Sequence, residues 1–302
     1  MWQPQPGWVA LPGGAGGSTV GVWRAAFGDQ AVVVKRIAAP EDDDPDELSD
    51  PRHFAYWRRP ADVITADLVV DTPGLRAPRM SAVEEDEGGV TITQEWVEDA
   101  ATSGLFVAHA LGRFAGGHLS PQPWLARNQL RDRLVRVERH GGWRTLARTT
   151  IADVADQLWD RRAELLSAAD ALVQVPTHGD AVPANLPGRD SDDVVAIDWA
   201  MLGTGPVGGD LGYYALAARE ELEPLLDAYL MGMPPGLATR DEVTLGARIT
   251  AVYTVLNRAE WALARVAGGE GALAGKFRHP AVAPHLRALQ RTFPHLEALL
   301  ES

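Results

Sequence analysis

The chain has no cysteine, so disulfides, thiolate metal sites and a cysteine nucleophile are excluded. Lysine is almost as scarce: Lys35 and Lys276 are the two lysines among 28 basic residues, and arginine supplies the rest. No apolar run approaches the ~18 residues of a membrane span. The opening Met1-Trp2-Gln3-Pro4-Gln5-Pro6 lacks the basic and apolar regions of a secretion signal. A cytoplasmic location with no membrane partner is therefore expected. Positive charge is also in deficit, since 28 basic against 41 acidic residues give a formal net charge of −13. That balance disfavours nucleic acid, whose phosphates need basic patches. Apolar residues are plentiful at 46% of 302, enough for two lobes with substantial cores. No internal repeat is present.

The densest polar pattern is His178-Gly179-Asp180, then Asn185, then Ile197-Asp198-Trp199, with Asp210-Leu211 following. Asp198 closes an apolar strand pattern, Val194-Val195-Ala196-Ile197, and the turn-rich Pro187-Gly188-Arg189-Asp190 before it predicts a hairpin. Any one Asp or Asn in a loop is commonly a turn former or a helix cap. Six such positions in one short span instead outline a phosphoryl-transfer site, because Asp180 and Asn185 keep the Asp-to-Asn interval of a kinase catalytic loop. Such transfer asks little covalent work of a protein; it requires a metal nucleotide and an acceptor hydroxyl held in line. Mg²⁺ prefers hard oxygen ligands, and the Asn185 carbonyl with the Asp198 carboxylate supplies two, leaving water and phosphates to complete the shell. Asp180 remains to aim the acceptor hydroxyl, since an ordinary Asp, with a reference pKa of about 3.9, is a weak base.

These motifs resemble the aminoglycoside phosphotransferase and choline kinase-like family, whose signature joins an HGD-x4-N loop to a later I-D-W and a D-L. The resemblance implies an α+β, bilobal, protein-kinase-like fold. A small antiparallel-sheet lobe would occupy residues 1–97, with the hinge at its end, and a larger, mainly helical catalytic and acceptor-binding lobe would occupy 98–302. It implies ATP, or another NTP, and Mg²⁺ as cofactors, with Asp180 as the catalytic residue and His178 and Asp210 bracing its loop. Gly179 stands where protein-directed kinases usually carry Arg, which favours a small-molecule acceptor.

The first hundred residues contain parts for the other half of a nucleotide cleft. Val32-Val33-Val34-Lys35-Arg36-Ile37 is a buried-strand pattern holding one of the two lysines, a compact charge suited to phosphate oxygens; the alternative is an edge-strand lysine facing water. The loop that contains Gly14 and Gly16 matches no phosphate-binding fingerprint, but it precedes a strand, a Gly28-Asp29 turn and the lysine strand in the order of a kinase amino-terminal lobe. The family pairs the strand lysine with a helix glutamate, and here Pro60 stands near that place. Asp62 is the expected substitute partner, with Glu47 a further candidate. The surrounding run 41–47 reads as a mobile, solvated loop. By resemblance, backbone groups at Glu95, Trp96 and Val97 bind the adenine.

Helical periodicity sets in after residue 99 and predicts helices over 106–119, 125–137, 211–229, 242–266 and 285–300. Thr150 with Asp153 resembles a capping box opening a further helix that runs until Pro176. The expected activity is ATP- and Mg²⁺-dependent phosphorylation of a hydroxyl on an aminoglycoside-like, nucleoside-antibiotic or amino-sugar acceptor. A metabolic sugar or amino-alcohol kinase, or a nucleotide-binding regulatory module with little catalysis, are the alternatives. Net acidity suggests a partly acidic acceptor pocket facing Asp180, with Glu260 and Trp261 as its candidate carboxylate and ring platform.

Overall fold

The computed structural model describes residues 2–12, 18–267 and 278–301. Five antiparallel strands form one sheet in the order β1-β2-β3-β6-β5: β1 (Val9–Ala10), β2 (Thr19–Phe27), β3 (Gln30–Ala38), β5 (Ser81–Asp86) and β6 (Gly89–Glu95). Alternation along β3 separates two faces. Lys35 and Ile37 point to one, and Ile37 packs there with Val90, Ile92 and Ala61 of the short helix α1 (Arg59–Thr65). Arg36 points to the other, where it is 2% exposed, pairs with Asp86 at 2.6 Å and lies over the Trp2 ring. Trp2 in turn clusters with Trp8 and Trp23.

The remaining elements are mainly helical: α2 (Gly104–Ala115), α3 (Gln129–Arg139), α4 (Ala152–Asp160), α5 (Arg162–Ala171), α6 (Gly209–Ala215), α7 (Leu222–Gly232), α8 (Arg240–Ala267) and α9 (Ala283–Glu301). Ser103 caps α2 by accepting from the Phe106 amide. Helix α2 lies close against α7 because Gly112 has no side chain; a Cβ there would sit 2.0 Å from the Tyr229 carbonyl oxygen. Between the helices, β7 (Gln174–Thr177) pairs with β10 (Gly203–Pro206), and β8 (Gly188–Asp190) with β9 (Asp193–Val195). The two-residue β4 (Leu75–Arg76) joins β9 in parallel, tying the linker of the sheet region to the β8–β9 hairpin. One core gathers around α2, α6 and α7 with Trp199 and Leu202; a second joins α4, α5, α8 and α9. Among the described residues no helix is long and apolar enough to cross a membrane.

Several local expectations shift. The helix expected from Thr150 to Pro176 is two helices that meet at Arg161, whose guanidinium donates to the Leu299 and Leu300 carbonyls at the end of α9. Thr150 caps nothing; Ile151 occupies the cap position and makes no side-chain cap bond. The 211–229 helix is likewise divided into α6 and α7. Gly188, Arg189 and Asp190 form a strand, and the hairpin turns at Ser191, where φ is 56°. Within 41–47 the expectation of a solvated loop fails at Glu47, which is gripped by Arg136 and Arg139 of α3. Burial raises its pKa, but the two guanidiniums outweigh that and hold the carboxyl below its usual range.

Arg59, fully buried, joins these parts. Its five N–H groups are all used: Nε donates to Trp124 O, Nη1 to Phe54 O and Ala200 O, and Nη2 to Pro51 O and His53 O, at 2.7–3.0 Å. Burial lowers its pKa to about 10, which still leaves it charged at neutral pH. Arg59→Ala would strand five carbonyls, and chemical denaturation should show a loss of about 3 kcal/mol or more. Arg59→Lys, with three donors for five acceptors, should recover only part of that loss.

Candidate active site

The site is built from the loop after β7, the β8–β9 hairpin and the first turn of α6. Asp210, in that first turn, accepts from the His178 amide at 2.6 Å and the Gly179 amide at 3.0 Å. Burial drives the Asp210 carboxyl above its usual range, and His178 with the two amides opposes this only in part. The fully buried His178 ring accepts from the Asp180 amide at Nδ1 (3.3 Å), so its Nε2 donates to Ile197 O (3.0 Å). Gly179 has a φ of 78°, and a Cβ there would lie 2.5 Å from the Met201 carbonyl oxygen, so glycine is required both for conformation and for space.

Asp180 is held at both carboxylate oxygens. Tyr213 donates to Oδ1 at 2.6 Å and the Asn185 amide donates to Oδ2 at 2.9 Å. Tyr213 is one helical turn beyond Asp210, so the two side chains of α6 reach successive residues of the same loop. That spacing was the available signal for a residue the sequence reading passed over. Burial raises the Tyr213 pKa above its ordinary value, which keeps the hydroxyl a donor at neutral pH.

Because its nitrogen faces Asp180, Asn185 turns its side-chain oxygen elsewhere, available to a cation. Its backbone carbonyl accepts from the Ile197 amide at 2.9 Å, which places Asn185 beside Asp198. Asp198 adopts a left-handed conformation with φ 59° and ψ 58°, which a short polar residue tolerates. The next residue, Trp199, is buried against Phe114 and His178 and bonds the Ala196 carbonyl, which anchors the turn. No group of three or more His, Cys, Asp or Glu side chains gathers as a metal cage among the described residues. The Asn185 and Asp198 oxygens nonetheless suit Mg²⁺, which takes few protein ligands and fills its shell with phosphates and water.

Lys35 pairs with Asp198, Nζ to Oδ1 at 2.8 Å, across 163 residues of sequence. Burial raises the Asp198 pKa, yet the Lys35 charge and hydrogen bond, with His178, carry it below the usual carboxylate range. The expected pairing of Lys35 with Asp62 does not occur. Asp62 lies on α1 and accepts from Arg58 at 2.9 Å, an i,i+4 pair set by helix geometry, and Glu47 is held by α3.

At the strand end, the Glu95 carboxylate accepts from the Arg79 amide and the Trp96 amide donates to Ala31 O, with Arg24 over the Trp96 ring. The Val97 amide has no acceptor among the described residues. Gly14 and Gly16 lie outside the described residues.

The acceptor residues proposed on α8 are not brought to Asp180. Glu260 accepts from Thr145 Oγ1 at 2.7 Å, and Trp261, 54% exposed, meets His285 edge-on. Arg258 of α8 does reach the site's edge, its guanidinium 4.4 Å from the Tyr213 ring centroid; Glu260, two residues on, projects about 200° away around the helix. Arg133 of α3 covers the same ring at 5.2 Å and donates to the Gly179 carbonyl. Two arginines thus flank the Tyr213 ring, where net charge suggested a partly acidic surround.

The model of the phosphotransferase enzyme family matches residues 8–242. No curated relative matches the chain. Among solved structures, a choline/ethanolamine kinase family protein from Mesorhizobium loti is similar over 94% of this chain and 92% of its own, at 16% identity and a TM-score of 0.55. A thermostable mutant of aminoglycoside phosphotransferase APH(4)-Ia is similar over 96% and 94%, at 12% identity and a TM-score of 0.56. The amicoumacin kinase hAmiN, solved with AMP-PNP, Ca²⁺ and Ami, is similar over 97% and 89%, at 11% identity and a TM-score of 0.56. The sheet-and-helix architecture is the kinase-like fold of these proteins, and with most of its length matched by the family model the chain belongs to the phosphotransferase enzyme family.

Proposed function

We propose that the chain is an ATP- and Mg²⁺-dependent phosphotransferase that moves the γ-phosphoryl group to a hydroxyl of a small molecule. The observation that best supports this is the fixed Asp180 carboxylate, clamped by Tyr213 and Asn185, with the Asn185 and Asp198 oxygens and the Lys35 ammonium ranged beside it. Nucleotide complexes of similar folds, such as AMP-PNP with Ca²⁺ in the amicoumacin kinase, fit the same reading. The Val97 amide, without an acceptor among the described residues, suits the adenine edge.

In this mechanism Asp180 receives the acceptor O–H through a remaining lone pair and aims its oxygen at the γ-phosphorus. As that oxygen bonds to phosphorus, the bond to the β,γ-bridging oxygen breaks, ADP leaves, and the acceptor proton passes to Asp180 or through it to solvent. Bound at Asn185 and Asp198, Mg²⁺ would supply charge neutralisation to the phosphates. Lys35 would then exchange part of its bond to Asp198 for phosphate oxygens, so the ion pair aligns the lysine before nucleotide arrives. The guanidiniums around Tyr213 oppose the amino-sugar or aminoglycoside-like acceptor suggested by overall acidity.

Asp180→Ala should keep nucleotide binding and lower turnover roughly 10²–10⁴-fold, the usual size of a lost acid–base or orienting group. Near-wild-type turnover in a steady-state ADP-release assay would refute that role. Tyr213→Phe, which frees one oxygen of Asp180 without removing the ring, should lower kcat about tenfold while leaving the KM for ATP nearly unchanged.

The metal assignment predicts that Asp198→Ala weakens Mg²⁺-dependent nucleotide binding more than Asn185→Ala, since it removes a charged ligand; titrations with and without Mg²⁺ compare them. Asp62→Ala should leave turnover within about threefold of wild type while Lys35→Met does not, because Asp62 serves Arg58. Equal losses in the two variants would restore Asp62 as the lysine partner.

A further inference from the structure

We propose that the acceptor carries an oxyanion, a carboxylate or a phosphate, and that Arg258 and Arg287 bind it. The inference rests on the phosphotransferase reading and names the acceptor class of the same site. A groove of about 670 Å³ lies between α8 and α9, and its charged or polar lining is Arg258, His285, Arg287, Gln290 and Arg291, with no carboxylate among the lining residues. In a chain of net charge −13, such a local reversal of sign does not follow from composition.

Connection to the chemistry runs through one side chain. Tyr213 gives its hydroxyl to Asp180 and its ring face to Arg258. The Arg258 carbon Cζ therefore lies at most about 10 Å from the Asp180 carboxylate, the span of one phenol plus its two contacts. The groove begins at Leu216 and Ala217, one turn past Tyr213, so a small hydroxylated anion reaching around the Tyr213 ring would set its hydroxyl at Asp180 and its charged end at Arg258.

The arginines differ in their freedom. Arg291 is committed to the fold, donating to Leu216 O and Ala218 O. Arg258 and Arg287 have no carboxylate partner among the described residues. A guanidinium held over a phenol by its charge can still offer N–H groups to carboxylate and phosphate oxygens in paired hydrogen bonds. Glu260 bonds Thr145 on another face of α8, while Glu220 and Glu221 line an adjoining cavity that shares Leu216, Ala288 and Arg291 with the groove. Burial, together with Arg258, lowers the His285 pKa, so the imidazole adds a polar wall in place of a third fixed charge.

Two measurements test this on the full chain. In the first, inorganic phosphate and acetate are titrated calorimetrically with AMP-PNP and Mg²⁺ present to fill the nucleotide side. At least one should bind saturably, and both Arg258→Gln and the exposed Arg287→Gln should weaken that binding about tenfold. The arm that binds distinguishes phosphate from carboxylate. No saturable binding, or equal binding by wild type and both variants, overturns the proposal.

In the second, ADP release is followed with glucose, gluconate, glucose 6-phosphate, glucosamine and kanamycin. An anionic member should exceed glucose in kcat/KM by about tenfold or more, and Arg258→Gln should remove that preference mainly through the acceptor KM. Preference for glucosamine or kanamycin overturns the anionic acceptor while leaving the phosphotransferase reading intact. Anion binding that requires Arg258, with no ADP release from any acceptor, would instead count against the phosphotransferase reading and leave the oxyanion site standing.

Discussion

The buried guanidinium of Arg59 is the constraint on which the relation of sheet to catalytic loop depends. Its five donors reach carbonyls in the 51–54 loop, at Trp124 and at Ala200, so one side chain on α1 fastens three separate chain segments. Ala200 is two residues from Asp198, and α1 packs on the sheet face that carries Lys35. Holding that face against the Ala200 turn brings Lys35 to Asp198. A charged group removed from water without a counter-ion is tolerable only if every donor is satisfied, and here every one is. Close fixing of the lobes follows from that requirement.

On the other side of the site, α6 acts as a ruler. Asp210 and Tyr213, one turn apart, deliver a carboxylate to the His178 and Gly179 amides and a hydroxyl to Asp180. The loop is thus fixed at its backbone and at the Asp180 side chain by the same rigid element, so Asp180 is oriented by the fold itself. His178 extends the brace inward, passing a hydrogen bond to Ile197 next to Asp198.

Charge shows how composition and location part company. The chain is strongly acidic, yet several of its acidic groups are spent on pairing: Glu47 with Arg136 and Arg139, Asp190 with Arg76 and Arg79, Asp227 with Arg240. Three guanidiniums, those of Arg258, Arg287 and Arg291, line the groove between α8 and α9, and Arg258 lies over the Tyr213 ring. Net charge governs the far field of a protein, whereas an acceptor responds to the few side chains within a Debye length of about 10 Å.

The sequence by itself determined the kinase-like fold, the order of its parts and the polar set around the β8–β9 hairpin, because those depend on local spacing: HGD-x4-N, the apolar strand before Asp198, and one lysine within a run of valines. Helical regions were legible from periodicity, although the break at Arg161 was not, since it is fixed by docking onto carbonyls at the far end of the chain. Only the tertiary structure decided the partners. Lys35 meets Asp198 across 163 residues while Asp62 turns to its own helix, and no local pattern encodes that choice. Tyr213, Arg133 and Arg258 likewise become a site only when α3, α6 and α8 converge. Spacing along the chain specifies which chemistry is available, but the charge that surrounds it is a property of surfaces brought together by packing.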